Sequence, residues 1–419
     1  MQKLHLLHLA ESAGGVDRYL RMLLTYMDRN RFEQSVALAD GFREEDYQGL
    51  ADRFIRVRMR HELRPGADAG AIGEVRRIVR NLKPDLVYCH SSKAGGIGRL
   101  ACMGLGVRVV YNPHGWAFDM KVSKPRRWAY LAMERALAPL TCRYVVISNH
   151  EKLAAIVHHI AHERRVCVIY NGVDVEALRR TPPSAISRRS LGIAPEAYLT
   201  GMVGRISPQK APDVFVDMAE RVGAEIPHAH FLIVGDGEMR GDIERMIAAR
   251  GLEDRFTITG WVDDAAPYIA LMDQAVMLSR WEGFGLVIAE FMAKRKPVVA
   301  TEVGAIPELI TDHDNGLLVP PDNAERAAEA VMEFYNNPDM RKELVDKAEM
   351  RTLAFFDVKR TAMEHERLFV KLCKEGGVIL SEERREKSEE LREKREELRE
   401  KCEELIFLPA DSFEERRAA

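Results

Sequence analysis

Two stretches in the second half of the chain combine glycines, cations and carboxylates in a way that suits a phosphorylated, hydroxyl-rich ligand. The first is Gly204-Arg205-Ile206-Ser207-Pro208-Gln209-Lys210, between an apolar run at 199–203 and a helical pattern. A glycine at a strand exit lets backbone approach a ligand, and Arg205 and Lys210 on that loop can converge on a diphosphate. Two surface cations at a helix start are the other reading. The second stretch runs Ser279-Arg280-Trp281-Glu282-Gly283-Phe284-Gly285-Leu286-Val287-Ile288-Ala289-Glu290. Glycines around Phe284 permit unusual backbone angles and leave bare N–H groups at a helix start, which favour anionic oxygens. Glu282 lies in the loop and Glu290 more than one turn inside the helix. The glycine turn can bring both to one crevice, where a carboxylate accepts hydrogen bonds from the vicinal hydroxyls of a ribose or a sugar. A solvated glutamate pair is the alternative. It fits Glu290 poorly, because the surrounding run is apolar and an unpaired charge there is costly.

Regular elements must position these residues. Residues 1–175 alternate strand-like runs at 4–9, 34–39, 85–89, 107–111, 143–147 and 165–170 with helical patterns at 16–27, 69–81, 95–103 and 125–137. A break at Thr181-Pro182-Pro183-Ser184 reads as a linker. Strands at 199–203, 230–234, 256–259, 274–278, 297–301 and 316–319 then alternate with helices at 211–222, 238–250 and 286–293. The alternation predicts an α/β chain of two Rossmann-like domains, each a parallel sheet covered on both faces, with ligands at the carboxyl ends of the strands. The expected domains are 1–175 and 176–357, then a helix at 358–375 and a charged helical tail at 376–419. The tail aligns as four heptads from 381 to 408, with Leu391, Leu398 and Leu405 at one position and Ser381, Ser388, Arg395 and Cys402 at the other stripe position. That second stripe is poor coiled-coil chemistry, so a solvated or edge-docked helix is expected ahead of self-association.

Composition narrows the partners. A net charge of -3 argues against a dedicated nucleic-acid binder. Residues 1–180 nevertheless carry 29 Lys/Arg against 19 Asp/Glu, and the remainder 33 against 46. A basic first half suits an anionic membrane surface or a phosphorylated acceptor. Lys121-Val122-Ser123-Lys124-Pro125-Arg126-Arg127-Trp128-Ala129-Tyr130-Leu131 is the segment that mixes cations with aromatics, and it reads equally as an exposed helix start. The six cysteines form no CxxC pair and no zinc framework, which predicts reduced thiols. His158 and His162 lack the carboxylates that would complete a metal site. The opening run reads as a strand, and no apolar stretch is long enough to span a bilayer. The expected location is cytoplasmic, with contact at the inner face of the plasma membrane peripheral.

The second stretch resembles the E-x7-E signature of retaining glycosyltransferases of family 4, which have the GT-B fold. The loop 204–210 resembles that family's diphosphate loop. Further similar segments are Leu232-Ile233-Val234-Gly235-Asp236-Gly237, Val303-Gly304-Ala305-Ile306-Pro307-Glu308, Asn315-Gly316-Leu317-Leu318-Val319-Pro320 and Tyr170-Asn171-Gly172-Val173-Asp174. In order they cover roughly residues 1–374. His90-Ser91-Ser92-Lys93-Ala94-Gly95 and Asn112-Pro113-His114-Gly115-Trp116-Ala117-Phe118 are similar to enzymes that extend lipid-linked bacterial surface polysaccharides.

The resemblance implies transfer of a sugar from a nucleoside-diphosphate donor, a UDP-sugar in the first instance, to a hydroxyl of a glycan or polyprenyl-diphosphate-linked acceptor. It implies retention of anomeric configuration and neither cofactor nor metal. Arg205 and Lys210 would hold the diphosphate, with Gly204 giving the backbone room to approach. Glu290 would hold the ribose, and Glu282 would lie near the donor sugar beside backbone contacts from Phe284, Gly285 and Leu286. Thr259 would lie near the base. Gly14-Gly15 would be the glycine loop facing the donor, and His114 would face the donor sugar; a plain turn and a hydrogen-bonded loop histidine are the alternatives. The helix at 358–375 would return to the first domain. The chain departs from the pattern at Arg280-Trp281, where many relatives have proline-serine. An epimerase or hydrolase acting on nucleotide-sugars is the competing activity on the same fold.

Overall fold

The computed structural model describes residues 3–11, 14–59, 65–120, 122–180 and 186–374. The break at 181–184 and the heptad tail at 376–419 lie outside the described residues. Residues 1–367 group into one compact unit.

Among the described residues the first sheet has strands β1 (Leu4–Ala10), β2 (Phe32–Leu38), β3 (Arg53–Arg56), β4 (Leu86–His90), β5 (Arg108–Asn112), β6 (Arg143–Val146) and β7 (Val166–Val168). Their spatial order is β3-β2-β1-β4-β5-β6-β7 and every pair is parallel. The second sheet has β8 (Tyr198–Val203), β9 (Ala229–Val234), β10 (Phe256–Ile258), β11 (Gln274–Met277), β12 (Val298–Thr301) and β13 (Leu317–Val319). Its order is β10-β9-β8-β11-β12-β13, again all parallel. These are two Rossmann-like domains of the GT-B kind. In each, the order reverses beside the first strand, so each has a crevice between two diverging loops: β1 and β4 in one, β8 and β11 in the other.

Burial explains why the strands were legible. β4 and β9 are buried along their whole length, as a sheet covered on both faces requires. β3 is the strand that periodicity misses. It is a four-residue edge, Arg53-Phe54-Ile55-Arg56, exposed at both ends, and charged ends on a short edge strand hide it from an apolar-run search.

The helix Val358–Lys374 brings residues of its first half against the first domain. Glu366 accepts the Asp28 N–H at 2.7 Å, and His365 Nε2 lies 2.9 Å from the Tyr19 hydroxyl. A second bridge joins the two sheets. Glu308 accepts from the Asn149 and His150 backbone N–H groups, each at 2.8 Å, and from the Tyr170 hydroxyl at 2.9 Å. Those N–H groups open the helix Asn149–Val157, whose unbonded donors and positive end favour a carboxylate.

Candidate active site

The two loops singled out by the sequence leave β8 and β11 at the crevice of the second sheet. Lys210 Nζ meets Glu282 Oε2 at 2.5 Å, with side chains 18% and 11% exposed. The Lys210 stem packs over Gly204, a position held at φ 151. Arg280 ties the loops together. Its backbone N–H donates to the Gln209 carbonyl at 2.8 Å, and its guanidinium donates to the Pro208 carbonyl at 2.9 Å and to Asp213 and Asp322, each at 2.5 Å. Arg280 is therefore a brace between the loops. Trp281 beside it lines the cleft.

Gly285 caps the helix Leu286–Ala293 at φ 85. Gly304 comes so close that a Cβ there would collide with the Glu282 carbonyl oxygen. Small residues thus let backbone crowd around Glu282. Glu290 lies on the helix and is 3% exposed. Burial raises its pKa above the usual carboxylate value, Arg18 opposes that shift, and the Asp264 charge adds to it.

The opposite wall comes from the first sheet. Gly14, at φ 90, caps the helix Gly15–Tyr26, and a Cβ on Gly14 or Gly15 would meet open space. Arg18, one turn into that helix, reaches Glu290 at 2.5 Å. Glycine at 14 thus serves the backbone angle. His114 leaves β5 at φ 51, a strained angle for a side-chain-bearing residue, and its N–H donates to Asn112 Oδ1 at 2.9 Å. Burial and His365 hold its imidazole down to about 3, so the ring is neutral near pH 7.

One cleft of about 740 Å³ gathers both walls: Gly15, Arg18 and His114 on one side, and Gly204, Lys210, Glu282, Phe284, Gly285, Leu286 and Glu290 on the other. Gly14, Arg205 and Thr259 are not among its lining residues. Arg205 is exposed on the loop 204–210. Thr259 donates to the Gly260 carbonyl at 2.7 Å and accepts from the Gly235 N–H at 3.3 Å, so its hydroxyl is engaged with the backbone. Asp312-His313-Asp314, an acidic triplet spaced as a metal motif, is exposed and outside the cleft lining. Asp312 accepts the Leu318 N–H at 2.8 Å, and Asp314 pairs with Lys347 at 3.2 Å.

Sequence reasoning missed Arg18. A signal existed, since a cation in the first turn opposes the helix dipole and calls for an anion nearby. It also missed Glu151, which lines the cleft and is 2% exposed. Ser148 Oγ accepts the Glu151 N–H at 3.1 Å, and Glu151 Oε2 accepts the Ile147 N–H at 3.1 Å, a capping exchange that starts the helix Asn149–Val157. Burial pushes the Glu151 carboxyl up to about 8 from 4.5, so it stays protonated in the fold at neutral pH while the unfolded chain ionises. A raised folded value stabilises fully below 4.5 and is lost as pH rises through about 8. Glu151→Gln should therefore melt above the parent at pH 8, by an amount worth a few kcal/mol, with the gap closing by about pH 5. Thermal melts across that range test this; an equal gap at both ends would sink it.

Two family models match the chain. One, described as Glycosyltransferase Family 4, matches residues 13–177, and the other, Glycosyl transferases group 1, matches residues 197–337. An Escherichia coli UDP-Gal:alpha-D-GlcNAc-diphosphoundecaprenol alpha-1,3-galactosyltransferase is 30% identical over 248 residues, 58% of this chain and 64% of that enzyme. An alpha-D-kanosaminyltransferase of Streptomyces kanamyceticus is 36% identical over 148 residues, 35% of this chain and 38% of that one. These matches span less than two thirds of either relative's length. Among solved structures, Anabaena Alr3699/HepE in complex with UDP has a TM-score of 0.76 at 24% identity, covering 88% of this chain and 100% of that one.

Proposed function

The chain belongs to family 4 of the glycosyltransferases, and from that premise we propose that it moves a sugar from a nucleoside diphosphate, most simply UDP, to an acceptor hydroxyl with retention of configuration. The observation that carries this reading is the single cleft in which Lys210, Glu282 and Glu290 face Gly15, Arg18 and His114. A nucleotide-sugar needs cations at its diphosphate and carboxylates at its hydroxyls, and both are supplied by the wall of β8 and β11.

In this reading Lys210, Arg205 and the N–H groups that open the helix Leu286–Ala293 neutralise the charge that grows on the leaving diphosphate, without calling on a metal ion. Glu290 accepts the ribose hydroxyls once the donor draws Arg18 away. The bond from the anomeric carbon to the diphosphate oxygen breaks while the acceptor oxygen bonds to the same face. The acceptor's proton passes to the departing phosphate oxygen. His114, neutral, faces the sugar.

The acceptor enters along the first domain. The helix Lys124–Leu137 lies a few residues beyond Met120, which lines the cleft, and its Trp128 is 66% exposed among Arg126 and Arg127. That surface suits an anionic bilayer carrying a diphosphate-linked lipid acceptor, the acceptor class named for the Escherichia coli relative. A place in bacterial surface polysaccharide synthesis follows from such an acceptor.

The test supplies UDP-sugars with undecaprenyl-diphosphate-linked glycan in anionic vesicles, with EDTA present, and reads product linkage by NMR. An α-linked product from an α-configured donor, formed only with acceptor, is the expected result. Inverted product would overturn retention, loss of activity in EDTA would overturn metal independence, and donor hydrolysis or isomerisation without acceptor would favour the competing enzyme class.

A further inference from the structure

His114 is the outer member of a row of three imidazoles. Its Nε2 lies 3.1 Å from His90 Nδ1, and His90 Nε2 lies 3.3 Å from His8 Nδ1. Ring centroids stand 5.4 Å and 5.6 Å apart at interplanar angles of 25° and 14°. Each centroid separation equals the N···N distance plus two ring radii, so the nearly coplanar rings meet edge to edge and the bonds run along their planes. The sheet order makes the row. β1 lies against β4 with His8 opposite Tyr88 and Ala10 opposite His90, and β4 lies against β5 with His90 opposite Asn112. His8 and His90 are fully buried.

A neutral imidazole has one N–H and one lone pair. Each bond in the row uses one of each, so all three rings must carry their protons in the same sense. The inner end chooses the sense. His8 Nε2 and Gln34 Oε1 are both buried without a hydrogen-bond partner. Leu6 is in register with Gln34, which puts Gln34 and His8 on one face of β1 and β2. The Gln34 amide nitrogen turns toward the Leu24 carbonyl, 3.5 Å away, which fixes Oε1 as the end left for His8. Gln34 acts on His8 as a hydrogen-bonding side chain that favours its protonated form, so a proton on His8 Nε2 gives the two orphaned atoms to each other, whereas a proton on Nδ1 would set two lone pairs face to face.

The neighbouring hydroxyls have other partners among the described residues. His365 Nδ1 lies 2.7 Å from the Thr361 carbonyl and must carry its proton there. His365 Nε2 is then an acceptor, 2.9 Å from the Tyr19 hydroxyl and 3.1 Å from that of Tyr88. The Tyr88 hydroxyl lies 3.1 Å from that of Tyr19 and accepts from Asn112 Nδ2 at 3.2 Å. Burial, the largest influence on each ring, holds His8 to about 3 and His365 to about 4. The row is therefore neutral and its tautomers are well defined.

Resting on the donor site proposed above, we infer that His8, His90 and Gln34 are positioning residues that hold His114 protonated at Nε2, so that its Nδ1 meets the bound donor as a hydrogen-bond acceptor and selects a sugar hydroxyl. A carbonyl, carboxylate or phosphate oxygen at the same place would face a lone pair and be rejected. The side chain's preference is set three residues away from the ligand, by an amide on β2.

The experiment uses the full chain with 15N-labelled histidine and long-range 15N–1H spectra of the ligand-free protein. His114 should appear as the Nε2-protonated tautomer. Gln34→Leu, and Gln34→Met as a second variant if the first folds poorly, should move His114 toward the Nδ1-protonated form. The same variants should lower kcat/KM about tenfold while leaving the Kd for UDP within about twofold. An Nδ1-protonated His114 in the parent protein, or a tautomer unmoved by both variants, would overturn the inference. Failure of the parent to bind UDP would instead overturn the donor-site reading and leave the tautomer result standing.

Discussion

Lys210→Ala and Glu290→Ala are each expected to lower kcat/KM by about 10²–10³-fold or more while the protein stays folded. In the proposed reaction the two residues act at different parts of the donor. Lys210 places a cation where charge grows on the leaving diphosphate, an interaction that strengthens in the transition state and so should appear mainly in kcat. Glu290 should act on donor binding, and its loss should raise KM for the donor as well. Stability changes little by comparison. Lys210 pairs with Glu282 at 2.5 Å in a cleft that water can fill, so its removal costs about 1 kcal/mol or less. Glu290 is 3% exposed, and burial, with the Asp264 charge adding to it, raises its pKa despite Arg18. Replacing it relieves a desolvated carboxylate, and Glu290→Ala should melt at or slightly above the parent temperature. Initial rates with the donor varied, beside thermal melts, check both halves. Activity within tenfold of the parent in either variant would sink its assignment.

The second large effect is acid instability. His8, His90, His114 and His365 all have pKa values below 6.5, chiefly through burial: His8 and His114 to about 3, His365 to about 4, and His90 well below its ordinary value. The unfolded chain binds protons at these residues near pH 6.5, and the folded chain does not. The stability is therefore present above 6.5 and is lost as pH falls toward the folded values. Each histidine contributes at most about 1.4 kcal/mol per pH unit, and coupling within the cluster makes four independent contributions an upper bound. Urea unfolding between about pH 6.5 and 5, above the range where most carboxylates titrate, should lose several kcal/mol with net uptake of two or more protons. Proton uptake below one in that window would show that the cluster is not held neutral. The sign is opposite to that of Glu151, whose contribution is lost on the alkaline side, and the two together place maximum stability on the weakly acid side of neutrality.

Local signals account for what could be read early. Strand and helix periods, the glycine at the exit of β8 and the glycines before Leu286 are all properties of short windows. They led to two Rossmann-like domains and to Lys210, Glu282 and Glu290 in one crevice. β3 was missed because a short edge strand with charged ends has no apolar run. Arg205 was read as a site residue from loop position and the family resemblance, and Thr259 and Gly14 from the resemblance; none of the three is among the residues lining the cleft.

The sequence by itself therefore determined the fold, the family resemblance and the residues proposed to hold the nucleotide, since each is written in consecutive residues. Tertiary structure decided what faces those residues. Arg18 meets Glu290, Glu308 caps the helix that begins at Asn149, and His8, His90 and His114 form one row. No spacing rule predicts these pairs. The imidazole row exists because the order β2-β1-β4-β5 lays distant strands side by side, and a polar atom taken out of water there must find its partner among whatever the neighbouring strand presents; the Arg18 and Glu308 contacts join helices of one domain to the other.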